Sequence, residues 1–158
     1  MTQDSWEHCA PEREHDLAPF GVRLRIHEWG DPGATALVMT HGMYDHGRGF
    51  DAIAPLLAER FRVLAVTSRG HGDSAWADAY LWPLDVADVI GVLEWVGQPS
   101  HLLGHSRGGG MATNAAICAP RWVRQPRYIT WDWGISLASW SMNTHAIRTC
   151  SALVTKSR

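Results

Sequence analysis

The sequence predicts an α/β protein built on a mostly parallel sheet with flanking helices. Two observations carry that expectation. Short apolar runs at residues 36–39, 63–66 and 101–103 alternate with segments of helical period, the pattern of strands joined by crossover helices. Each run is also unbroken rather than alternating, as expected of strands covered on both faces. A third observation sets the size: 158 residues with 46% hydrophobic content form one core and give no reason to expect two.

In chain order, residues 22–29 come first, with Val22, Leu24 and Ile26 alternating against Arg23, Arg25 and His27. That period of two predicts an edge-side strand, and Gly30-Asp31-Pro32-Gly33 predicts the turn that ends it. After the 36–39 strand, Phe50, Ile53, Ala54 and Leu57 recur at helical spacing. Val86, Val89, Ile90, Leu93 and Val96 do the same after the second strand, with Pro83 and Asp85 as a start signal and Gly97 and Pro99 as a stop. A third strand at residues 100–103 leads to a small-residue helix over 111–119, preceded by Gly108, Gly109 and Gly110.

Charge divides the chain. The first 120 residues hold 8 Lys and Arg against 15 Asp and Glu, and the remaining 38 hold 6 against 1. The last segment also carries Trp122, Trp131, Trp133 and Trp140. Such a basic, aromatic stretch can bind nucleic acid, but it lacks a regular basic face or a recognisable motif, and no nucleic-acid partner is expected. No run approaches the roughly 18 apolar residues of a membrane span. The first 19 residues are acidic and lack the apolar stretch of a secretory signal, so a cytoplasmic location is expected. Cys9, Cys118 and Cys150 are odd in number and far apart, which predicts free thiols.

Functional groups in open parallel sheets collect at the carboxyl ends of the strands. Three loops meet that condition: His41-Gly42-Met43, Ser68-Arg69-Gly70-His71-Gly72-Asp73-Ser74, and Gly104-His105-Ser106-Arg107-Gly108. The last lies between an apolar run and a helix, where flanking glycines let the chain turn sharply and expose the serine hydroxyl. The order and spacing of the three resemble the α/β-hydrolase superfamily, in which a His-Gly segment follows the third strand, Arg-Gly-x-Gly-x-Ser the fourth, and the nucleophile turn the fifth. The resemblance covers residues 22–125 and implies an incomplete α/β-hydrolase fold.

It further implies that Ser106 is the nucleophile of a small-ester or related acyl hydrolase, with no cofactor. The backbone N–H groups of Arg107 and Met43 would form the oxyanion hole. Arg69, Gly70, Gly72 and Ser74 resemble a structural turn, with Arg69 and Asp73 ordering the loop by hydrogen bonds. His41, His71 and His105 are expected to stabilise loops rather than act as the base. A rival reading takes His41-Gly42-Met43-Tyr44-Asp45-His46 as a near match to the His-x-His-x-Asp-His metal motif of metallo-β-lactamase-like hydrolases. Met43 stands where the second histidine belongs, and a thioether is a poor zinc ligand beside imidazole, so no metal is expected.

The superfamily orders its triad as serine, acid, histidine. Beyond Ser106 lie one acid, Asp132, and one histidine, His145, only 13 residues apart. That spacing leaves little room for the intervening strand and helix units, so the pair is not expected to complete the triad. Residues 128–131 form a plausible strand before Asp132, but the segment from Pro126 onward does not continue the superfamily pattern. The expected organisation is therefore an N-terminal extension at 1–20, a partial hydrolase domain at 21–125 and a divergent tail at 126–158, read as truncated or out-of-frame sequence. A non-catalytic remnant of the same fold is the alternative function.

Overall fold

A computed structural model describes residues 10–124. Among these, five strands form one sheet: β1 (Arg13–Leu17), β2 (Leu24–Trp29), β3 (Ala36–Thr40), β4 (Arg62–Val66) and β5 (His101–Gly104). Their spatial order is β1-β2-β4-β3-β5. β3 runs parallel to both β4 and β5, while β1–β2 and β2–β4 are antiparallel. Three helices pack on the sheet: α1 (Ala54–Ala58), α2 (Trp82–Val96) and α3 (Arg107–Cys118).

The parallel strands alternate their side chains between two apolar layers. Val38, Leu64, Val66 and Leu102 meet Val89, Ile90, Leu93, Met111 and Ala115 of α2 and α3. Leu37, Met39, Val63 and Ala65 face the other way, onto Trp29, Phe50 and Ala54. Both faces are thus buried, as the unbroken apolar runs predict.

Several elements differ from the sequence reading. Residues 1–20, read as an extension, contribute β1, so β2 is flanked on both sides and is not the edge. β1 escapes hydrophobic pattern recognition because Leu17 is its single apolar residue. Polar partners hold it in place: Arg13 faces Glu28 and Asp16 faces Arg25 as opposed charges, and Glu14 meets the His27 ring at 3.1 Å. Glu28, 1% exposed, accepts hydrogen bonds from Arg13 Nε at 2.9 Å and Arg62 at 2.9 Å, and pairs with His15 Nε2 at 2.6 Å.

The Phe50–Leu57 periodicity also resolves into two pieces, a 3-10 turn at Gly47–Phe50 and the short α1. Pro55 explains the break, since it has no N–H to continue a helix from the preceding turn and is tolerated only in a first turn. α2 behaves as expected, with Pro83 in its first turn and Gly97 closing it in the left-handed conformation. α3 starts at Arg107, four residues earlier than the apolar pattern suggests, because its glycines are helical. After a 3-10 turn at Pro120–Trp122, Val123 bridges Ser100 in parallel beside β5. No helix among the described residues is long and apolar enough to cross a membrane.

Candidate active site

The carboxyl ends of β3, β4 and β5 converge, and the chemistry-bearing loops meet there. Ser106 occupies the apex of the turn from β5 to α3 with φ 52° and ψ −120°. A side chain other than glycine in that region costs about 1–3 kcal/mol and persists only where its surroundings enforce it. Four contacts provide the enforcement. His105 N–H donates to the Thr40 carbonyl at 3.0 Å, and the Thr40 hydroxyl donates to the Gly108 carbonyl at 2.9 Å. Gly108 N–H and Gly109 N–H donate to the carbonyls of His105 and Ser106, each at 2.9 Å.

The flanking glycines are needed for close approach. A Cβ on Gly104 would lie 2.5 Å from the Gly108 carbonyl oxygen, and one on Gly108 would lie 2.2 Å from that of Thr40. The turn therefore admits no side chain at either position. Ser106 itself is exposed, and its hydroxyl makes no capping bond to α3.

Gly42 brings the β3 loop to the same point: a Cβ there would sit 3.3 Å from Ser106 Cβ and 3.1 Å from His105 Nδ1. Met43, next along, is 55% exposed. Tyr44 follows with φ 63° and 95% exposure, a second strained position that nothing in the sequence signals. Arg107 is the first residue of α3, where a backbone N–H has no intrahelical acceptor and is available to a ligand. The arrangement thus offers an exposed hydroxyl beside the N-terminus of a helix.

Two of the histidines around the turn, His41 and His71, are engaged elsewhere. His41 is fully buried; its Nδ1 donates to the Gly42 carbonyl at 2.7 Å and its Nε2 accepts from Ser68 N–H at 3.0 Å. Burial pushes its pKa down to about 4, so the ring is neutral and ties the β3 loop to the β4 loop. His71 pairs through Nδ1 with the Arg69 carbonyl at 2.9 Å, and its ring stands 5.2 Å from that of His41. His105 is exposed, with its ring against Gly42.

The β4 loop departs from expectation in how it is ordered. Ser74 does the ordering: its hydroxyl donates to the Thr67 carbonyl at 2.7 Å and accepts from Arg25 N–H at 2.9 Å. Asp73 is exposed and makes no such bond within the loop. Arg69 reaches across to α2, where both carboxylate oxygens of Asp88 accept its hydrogen bonds at 2.7 Å. Burial lowers the Arg69 pKa and Asp88 raises it, and Asp88 prevails; burial meanwhile lifts the Asp88 carboxyl, against the pull of Arg69. A guanidinium charged at any ordinary pH and bonded to both oxygens keeps that carboxyl ionised at neutrality.

One pairing was invisible in the sequence. Asp85, read there only as a helix-start signal, is 2% exposed and receives Arg107 Nη2 at 2.5 Å. Pairing across 22 positions has no local signature. The tail residues Asp132 and His145 lie outside the described residues. Among the described residues no cluster of three metal-binding side chains occurs.

Comparison with known proteins matches this geometry to one family. The model of the alpha/beta hydrolase family matches residues 37–149, and the chain belongs to that family. The matched span runs past residue 125, where the sequence pattern shifts. A serine hydrolase-like protein of Dictyostelium discoideum is 32% identical over 113 residues, which cover 66% of this chain and 31% of that protein. Epoxide hydrolase A of Mycobacterium tuberculosis is 34% identical over 103 residues, covering 61% of this chain and 32% of its own. The solved structure of a hydrolase from Pseudomonas aeruginosa superposes with a TM-score of 0.69 at 27% identity, covering 81% of this chain and 49% of the other. The chain therefore spans about a third of these two curated relatives.

Proposed function

We propose that this chain carries the nucleophile half of a serine hydrolase acting on a small ester or related acyl substrate, without a cofactor. Ser106 attacks the acyl carbon, and the N–H groups of Arg107 and Met43 receive the developing oxyanion. The observation that carries this reading is the strained, exposed Ser106 at the strand-to-helix turn, with Gly42 packed beside it. The alternative chemistry in the family, epoxide opening, uses another nucleophile at this position, and a serine favours acyl transfer.

The general base is not His41 or His71, since both spend ring nitrogens on loop carbonyls or amides. The 13-residue spacing of Asp132 and His145 argues against their completing the triad. The same engagement of the nearby histidines supports the second reading, a non-catalytic remnant of the fold. A fluorophosphonate probe with an aryl-ester assay, on protein shown to be folded, separates the two. Labelling confined to Ser106 and turnover lost in Ser106→Ala support the hydrolase; a folded chain that does neither is the remnant. Labelling of another serine removes Ser106 from the role.

A further inference from the structure

The Arg107–Asp85 pair is an unusual use of buried charge. Asp85 sits in the first turn of α2, 2% exposed, and its Oδ1 has no hydrogen-bond partner among the described residues. Its other oxygen is held by Arg107 Nη2 at 2.5 Å. The Arg107 guanidinium also lies 5.8 Å from the centroid of the Trp82 ring, with Nη1 3.5 Å from Met111 Sδ. Buried ion pairs seldom add net stability over an apolar pair, because desolvation offsets their attraction; fixing geometry is their better-attested use.

Here the geometry they fix is the residue after a strained one. The backbone of Arg107 follows Ser106 directly, and relaxation of Ser106 toward ordinary dihedrals would swing the Arg107 N–H away from its present direction. Thr40 restrains the turn from the β3 side through Gly108. The Arg107 side chain adds a second restraint, from α2, through Asp85.

We propose that Asp85 is a positioning residue, acting through the Arg107 side chain to hold the Ser106–Arg107 peptide in place for oxyanion binding. This rests on the serine-hydrolase reading. It makes the N-terminal turn of α2, carrying Trp82 and Asp85, part of the machinery of the β5–α3 turn.

The test uses the full 158-residue chain and compares Asp85→Asn, Arg107→Met and Arg107→Lys with the parent for aryl-ester kcat and KM. In folded Asp85→Asn and Arg107→Met, kcat should fall about 10- to 100-fold with KM within about twofold, and Arg107→Lys should recover part of the loss. A change in KM alone, or unchanged kcat, overturns the proposal. If the parent shows no Ser106-dependent turnover, the hydrolase reading fails by itself, and amide exchange decides the positioning role. Gly108 and Gly109 N–H should then exchange about tenfold faster in Asp85→Asn while Ala112 and Ala115 are unaffected. Uniform or unchanged protection overturns it. Should Asp85→Asn not fold, Arg107→Met carries the same readouts, with Arg107→Lys as its charge-retaining control.

Discussion

On one side of the sheet the residues directly opposed across the ladder include Arg13 and Glu28, Glu14 and His27, Asp16 and Arg25, beside His15 and Ile26 and Leu17 and Leu24. On the other they are Leu37 and His101, Val38 and Leu102, Met39 and Leu103. The β1–β2 hairpin is joined by ion pairs at a sheet edge, where charges also discourage pairing with other chains. The β4–β3–β5 half is joined by apolar layers on both faces, and its loops hold Ser106, Gly42, His41 and Arg69. Strain is concentrated in the second half. Ser106 and Tyr44, the non-glycine residues of positive φ among the described residues, both follow its strands. A rigid apolar half can enforce such strain, and a charge-paired edge contributes little to doing so.

If that division holds, the largest functional effect belongs to Ser106. Ser106→Ala should reduce ester turnover at least about 10³-fold while changing stability by under about 0.5 kcal/mol, because the side chain is exposed. Steady-state kinetics beside a denaturation curve measures both. Activity near that of the parent would detach the strained turn from function.

The largest structural effect belongs to the glycine packed against β3. Gly108→Ala would drive a Cβ to 2.2 Å from the Thr40 carbonyl, so the turn must move or the helix must shift, at about 3 kcal/mol. Gly33→Ala, whose Cβ would meet Asp31 Oδ1 at 3.4 Å, serves as the control with a small effect. Urea unfolding of the two variants compares them. Equal midpoints would mean that the turn yields easily, and the strain at Ser106 would need another explanation.

Much of the β4–β3–β5 half was legible in the sequence, and the reason is physical. Strands buried on both faces must be apolar runs, so β3, β4 and β5 appear within a residue or two of their bounds. The glycines at 104 and 108 announce a turn that needs two Cβ-free positions. β1 has the opposite property: its stability comes from partners on β2, and its own residues read as a charged loop. Arg107–Asp85 and Arg69–Asp88 are similarly illegible, since one joins the start of α3 and the other a loop to α2, each across about twenty positions. The helix-period signal at Phe50–Leu57 failed because side-chain spacing says nothing of the N–H missing at Pro55.

The pH dependence of stability sharpens the contrast further. His41 is buried neutral in the β4–β3–β5 half with its pKa at about 4, against about 6.5 in an unfolded chain. Between those values the unfolded state binds a proton that the folded state refuses, so stability falls as pH drops from 6.5 toward 4. The loss at pH 5 relative to pH 7.5 is about 2 kcal/mol for His41. Burial lowers the pKa of His27 as well, adding in the same sense. His41→Gln should flatten the profile between pH 6.5 and 4, as read by thermal midpoints. A profile identical to the parent's would show that His41 does not carry the acid-linked loss.

The smallest effect is expected at the exposed end of the charged edge. Asp16, 46% exposed, accepts from Arg23 at 3.0 Å and Arg25 at 2.9 Å, and the two guanidiniums outweigh desolvation to hold its carboxyl below the ordinary value. The sign gives stability present above about pH 4 and lost as pH falls further through the depressed value. Water screens the pair strongly at that exposure, so Asp16→Asn should cost under about 1 kcal/mol at neutral pH and less in high salt. Glu28→Gln, on the same hairpin but 1% exposed, leaves Arg13 and Arg62 facing a neutral amide and should cost more than Asp16→Asn. Denaturation at low and high salt orders the two. An Asp16 effect equal to that of Glu28 would mean that total charge across the ladder, rather than the one buried carboxylate, anchors β1 to the sheet.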